Sequence, residues 1–150
     1  MSCGGKEEKK KEPFTLKKTT TTEKSTEVDK SVKASERIEL TNKGVGPITS
    51  LDLPAEIDQT MAANGADIYK KMCTACHRED KKFIGPAPFK IMERRTPEWV
   101  MNMILDPVGM VQNDPLAKEL LMEFNGAPMA NQNLSQEEAR AVLEYFRTLK

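Results

Sequence analysis

Cys73-Thr74-Ala75-Cys76-His77 constrains this chain more than any other stretch. Near a helix end, two thiols three positions apart fall on one side, and the next residue turns its imidazole in beside them. That spacing lets both sulfurs bond to the vinyl groups along one edge of a planar porphyrin. The imidazole nitrogen then reaches the metal at the centre of the ring. Covalent attachment also removes dissociation of the group, which matters in a dilute space outside the cytoplasm. The motif predicts one covalently bound c-type haem, attached at Cys73 and Cys76 with His77 as an iron ligand.

Competing uses of these residues fit less well. A structural zinc site needs four ligands. The chain holds three cysteines and one histidine, and Cys3 stands at the far end of the sequence. A thioredoxin-like dithiol belongs in a βαβ setting, whereas no segment here alternates as a strand. With one histidine in the chain, ligation by two of its own histidines is excluded. Nine methionines offer the other axial ligand, since a soft thioether suits iron in an electron-transfer site and raises its potential. Met61, Met72, Met101 and Met103 lie on helical patterns and read as core. Met129 sits in the loop Gly126-Ala127-Pro128-Met129-Ala130-Asn131, which Pro128 stiffens, and is the leading candidate. Met110, read as a loop residue after Gly109, and Met122 follow it.

The remaining pattern is helical. Met61, Gly65, Ile68, Tyr69 and Met72 form one stripe of a helix beginning after Ile57. Thr96-Pro97 opens a second helix through Trp99, Val100, Met103 and Ile104, which Pro107 ends. Asp114-Pro115 opens a third, carrying Leu116, Leu120, Leu121 and Phe124 and stopping at Asn125-Gly126. Ser135 and Glu138 form a capping box for the last, with Ala139, Val142, Leu143, Phe146 and Leu149 on one face. The fold class is all-α, with about four helices and long loops around a thin core that the haem helps to fill. Residues 4 to about 45 are rich in Lys, Glu, Thr and Ser and poor in large apolar side chains. They read as a disordered tether. The expected organisation is a flexible linker over 1–50 and a haem domain over 51–150.

These features together resemble the class I cytochromes c over roughly Ala62 to Leu149. Gly65 and Tyr69 precede the C-x-x-C-H motif, Gly85-Pro86 follows it, then come Trp99, the Met129 loop and a closing helix with Glu138, Leu143, Tyr145 and Phe146. The resemblance implies the small cytochrome c fold, with Gly65 at a close crossing of the first and last helices near Tyr145 and Phe146. It also implies that the Pro86 carbonyl accepts a hydrogen bond from the His77 ring and that Trp99 touches a haem propionate. The loop from Asp106 to Asp114 and the Lys81-Lys82-Phe83 stretch have no counterpart in the family pattern. The start of the chain, Cys3-Gly4-Gly5-Lys6-Glu7-Glu8, resembles a processed bacterial lipoprotein, with Cys3 as the lipid attachment site and Met1-Ser2 in place of a removed signal sequence.

The functional expectation is a monomeric single-electron carrier, not an enzyme, on the periplasmic or another extracytoplasmic face of a membrane. The net formal charge is zero, yet Lys70 to Arg95 holds eight basic residues against Glu79, Asp80 and Glu93. That stretch is expected to steer a redox protein with an acidic docking surface. It lacks the interleaved aromatics of a base-stacking surface, and nucleic acid is not an expected partner. The stretch Glu123 to Leu134 resembles that of cytochromes associated with nitrous-oxide reduction, which suggests a terminal reductase as acceptor. The competing function is a haem enzyme or ligand sensor of peroxidase type with an open sixth iron position.

Overall fold

The computed structural model describes residues 29–150; Cys3 and the first half of the expected tether lie outside the described residues. Among these there are five helices and no strand: α1 (Gln59–Met72), α2 (Pro97–Leu105), α3 (Pro107–Asn113), α4 (Pro115–Glu123) and α5 (Gln136–Thr148), with one 3₁₀ turn at Ile91–Glu93. The all-α expectation holds, with one helix more than foreseen.

The helix starts follow from local chemistry. Asp58 accepts from the Met61 amide at 2.9 Å to cap α1. Thr96, Asp106 and Asp114 each cap a helix whose first residue is proline, where the missing N–H costs nothing and the ring presets φ. Ser135 and Glu138 exchange the two bonds of the capping box, at 3.1 and 2.8 Å. Pro107 was expected only to stop α2; it also starts α3, because Asp106 directly before it accepts from the Gly109 amide. Met110 therefore lies on a helix, fully buried, with its sulfur accepting the Val45 N–H at 3.1 Å. It drops out as an iron ligand.

α1 packs on α5 more extensively than any other pair of helices. The two backbones nearly touch: a Cβ on Gly65 would stand 1.9 Å from the Ala141 carbonyl oxygen. That crossing lies one turn before the place expected for it. Tyr145 and Phe146 instead meet the Tyr69 ring, at 5.5 and 5.7 Å between centroids. Glu144, 1% exposed, ties the pair together by accepting from the Asp58 amide at 2.8 Å and pairing with Arg140 and Arg147.

Residues 29–50 depart most from expectation. They form a strap that lies along α2 and α4 rather than a free tether, and the folded part begins well before residue 51. Only Ala34 and Ile48 of the strap enter the hydrophobic core, so a count of apolar side chains underrates it. Polar anchors hold it instead. The Asn102 side chain accepts from the Ile48 amide at 2.9 Å and donates to the Ile48 and Lys43 carbonyls. Thr96 Oγ1 donates to the Asn42 carbonyl at 2.6 Å, and Asn42 Nδ2 to Asp114 at 2.7 Å. Arg37, buried, pairs with Glu119 and Glu39. Ser35 bonds Glu123 through its amide at 2.9 Å. Each of these satisfies a group that burial would otherwise leave unpaired.

Candidate haem site

The C-x-x-C-H residues fold as a tight turn at the end of α1. The Cys73 amide continues the helix to Tyr69, and the Cys73 carbonyl then accepts from both Cys76, at 3.1 Å, and His77, at 2.9 Å. The following loop doubles back, because the Gly85 amide donates to the Cys76 carbonyl at 2.8 Å. This sets Pro86 beside the imidazole, where its carbonyl lies 2.8 Å from His77 Nδ1. A carbonyl only accepts, so Nδ1 carries the proton and Nε2 is left as a bare lone pair. The arrangement expected of Pro86 is thus present, and it fixes both tautomer and ring orientation as partners of metal-bound histidines do. Gly85 is the other requirement, since a Cβ there would come within 2.4 Å of the imidazole Cε1.

Cys73, Cys76, His77, Pro86, Trp99 and Met129 all line one cavity of about 180 Å³. Its walls are overwhelmingly apolar, with Val100, Ile104, Leu120, Phe124 and Phe146 contributed by α2, α4 and α5. Met129 reaches it from a loop fixed at both ends. Asn125 and Gly126 take left-handed φ values of 60° and 71°, and the Gly126 amide returns to the Leu121 carbonyl at 2.8 Å, a Schellman-type stop for α4. Asn131 Nδ2 reaches the Leu105 carbonyl at 3.3 Å before the α5 cap begins. Met122, 71% exposed, is not on the cavity wall and drops out of the ligand candidates.

Several observations fit a covalently attached haem. Burial, with Cys76 adding to it, pushes the Cys73 thiol up to about 11. The attacking thiol of a reactive exchange dithiol needs the opposite shift. No group of three metal-binding His, Cys, Asp or Glu side chains occurs among the described residues. The Tyr69 hydroxyl is enclosed on the cavity wall with no hydrogen-bond partner among the described residues. Burial first, then Cys73 and Glu79, push that phenol up to about 12.

Trp99 stands on the cavity wall. Its indole Nε1–H donates to Asp114 Oδ1 at 3.1 Å, inside a network that also takes the Ala117 amide and Asn42. This bond joins α2 to the strap and the α4 cap. The cations on the cavity lining near Trp99 are Arg94 and Arg95, which the sequence pattern did not single out. Arg95 lies directly before the cap of α2, where only its later burial distinguishes it from the surface lysines around it.

Comparison with known proteins agrees with this geometry. The family model for cytochrome c matches residues 62–150. Among solved structures, cytochrome c from Rhodothermus marinus is 40% identical with a TM-score of 0.68, covering 78% of this chain and 93% of that one. An engineered form of the R. marinus protein, Rma TDE, is 39% identical with a TM-score of 0.67, covering 78% and 94%. The same engineered protein bound to a carbene intermediate gives 39% and 0.65. No curated protein sequence matches at a significant level. The structural match is longer than residues 62–150 alone, so it extends into the segment that precedes the family domain. With the motif turn, the oriented imidazole and the apolar cavity in place, the chain belongs to the cytochrome c family of electron carriers, and its cofactor is a covalently bound haem c.

Proposed function

We propose that the protein is an extracytoplasmic carrier of single electrons whose iron is held by His77 and Met129, with Cys73 and Cys76 forming the thioether links. The observation that carries this reading is the His77–Pro86 bond, which leaves Nε2 free on a cavity that Met129 also lines. Haem c supplies an iron centre that takes up or gives away one electron. The chain holds His77 in one tautomer, places a thioether on a loop pinned at Leu105, and keeps water from an apolar pocket. Fixed ligands and a dry surround keep rearrangement on electron transfer small. In the Met129→Ala variant the sulfur-to-iron charge-transfer band of the ferric protein is expected to vanish and the reduction potential to fall. High-spin ferric haem in the unmodified protein would instead support the enzyme or sensor with an open iron position.

The partner follows from charge. Lys70, Lys71, Lys81 and Lys82 are exposed around the half-buried and exposed thiols. Lys82 also lies over the Phe124 ring at 4.5 Å, which brings a cation from the motif loop to the α4 side of the cavity. An acidic redox protein is the partner these charges favour, in a brief contact that weakens as salt rises. On the resemblance of Glu123 to Leu134, nitrous-oxide reductase is the first acceptor to assay. Haem accounts for Cys73 and Cys76, and lipidation is the role proposed for Cys3, holding the domain at the membrane surface. No helix among the described residues is long and apolar enough to cross a membrane. Mass spectrometry of protein extracted from membranes tests the anchor: an unmodified Cys3 ends that part of the reading.

A further inference from the structure

The strap meets α4 along an open groove that shares no residue with the haem cavity. Its walls are the first turns of the strap, from Lys30 to Arg37, and the outer side of α4. On α4, Glu119 and Glu123 stand one turn apart and hold the strap: Glu119 pairs with Arg37, and Glu123 accepts from the Ser35 amide and hydroxyl. Lys118 and Met122 form the neighbouring ridge, and both are exposed. Met122 is 71% exposed, more than any other large apolar side chain among the described residues, and Val32 of the strap is exposed in the same groove. Lys30, Lys33 and Lys118 are exposed and make no ion pair among the described residues. Lys30 is close enough to act on Glu119 without bridging it. The Asp29 carboxylate is turned back to the Ser31 amide at 2.9 Å. The face thus joins three unpaired cations to protruding apolar side chains, on a chain whose net formal charge is zero.

The chain enters this groove from residues 1–28, which include Cys3. We propose that the groove face rests on an anionic phospholipid surface. Lys30, Lys33 and Lys118 lie at the level of the headgroup phosphates, and Met122 and Val32 enter the boundary with the acyl chains. The position of the groove favours a lipid surface over an acidic protein. It is the part of the fold nearest along the chain to the proposed lipid attachment site, so an anchored domain meets the bilayer there first. Because none of its residues lines the haem cavity, the bilayer and a redox partner do not compete for the same side chains. This inference deepens the reading of Cys3 as an anchor, on which it rests, by adding a second contact that orients the domain.

The test uses the full, haem-bearing chain with Cys3→Ala, so that binding is read without a lipid on the protein. Sedimentation with phosphatidylcholine vesicles, with and without phosphatidylglycerol, is expected to show binding to the anionic vesicles alone, weakening as salt rises. Lys30→Gln, Lys33→Gln and Lys118→Gln together are expected to lower the partition coefficient about a hundredfold, at about fivefold for each lysine. Lys70→Gln, Lys71→Gln and Lys81→Gln together remove as many charges beside the motif and are expected to change it by less than about threefold. With Cys73 and Cys76 held in thioethers, Met122→Cys takes an environment-sensitive dye at one place, and its emission is expected to shift to the blue on anionic vesicles. The haem spectrum reports that each variant is folded. Equal losses in the two triple variants overturn the proposal, since attraction then follows net charge and not this face. Binding that ignores phosphatidylglycerol, or a dye that stays in water, overturns it as well. If vesicles are ignored and the groove variant instead slows reduction by an acidic redox protein, the face belongs to a protein partner and the lipid surface is rejected. An unmodified Cys3 in protein extracted from membranes ends the anchor reading and is a separate result, because the vesicle measurements are made without it.

Discussion

His77 is set by two neighbours that leave it almost no freedom: the Pro86 carbonyl, which dictates its tautomer, and Gly85, whose missing side chain makes room for the ring. Adding one methyl at residue 85 forces either the imidazole or the loop to move by more than half an ångström, since 2.4 Å is far inside van der Waals contact. Gly85→Ala is therefore expected to cost about 1 to 3 kcal/mol in denaturant unfolding of the haem-bearing protein. It should also weaken the nitrogen–iron bond, visible as a shifted Soret band or partial high-spin character. An unchanged spectrum and midpoint would mean that the loop yields freely and that Gly85 is not a constraint. At this scale the sequence was informative where chemistry is written as spacing. The motif and the loop position of Met129 could be read in advance, and the Pro86 bond followed from the family resemblance. The partner of Trp99 could not, because Asp114 is fifteen positions away and already had a sufficient role as a helix cap.

Helices α1 and α5 depend on one another through Gly65 and Glu144, and the second of these contacts carries a pH dependence. Burial raises the Glu144 carboxyl, but the Asp58 amide and the Arg140 and Arg147 guanidiniums outweigh it and leave the net shift downward. A carboxyl lowered in the folded state stabilises the fold above its unfolded pKa. That contribution is lost as pH falls through the lowered value, in the acid range below ordinary carboxylates. Glu144→Gln should destabilise by about 3 kcal/mol at neutral pH, because two arginines and an amide lose their charged acceptor. The gap between variant and parent should narrow as the solution is acidified. A gap independent of pH would show that Glu144 acts by packing alone. Helix starts at this scale were visible in Thr96-Pro97, Asp114-Pro115 and the Ser135–Glu138 box. Asp106-Pro107 is the same signal, but in sequence it is ambiguous, because a proline ends one helix by the same ring that begins another.

For the molecule as a whole, the strap and the cavity belong to one account. Residues 29–50 looked unable to fold because their apolar content is low, and composition arguments measure only burial of side chains. Their backbone is instead bonded to Asn102, Thr96 and Arg95, whose importance depends on where α2 comes to lie. The structural match, longer than residues 62–150, fits a segment that is part of the fold. It borders a cleft of about 180 Å³ whose walls are overwhelmingly apolar. Without the haem those walls face water, and the apolar burial forgone is a large part of the roughly 5 to 15 kcal/mol by which domains are stable. The chain carrying Cys73→Ala and Cys76→Ala, produced without attached haem, is thus expected to lose its sharp thermal transition, with near-UV circular dichroism from Trp99 largely gone while part of the helical signal remains. The strap should become the first site of tryptic cleavage in that variant. A cooperative transition at the midpoint of the haem-bearing protein would mean that the polypeptide completes its own core, and that the cofactor is a passenger in a fold already closed without it.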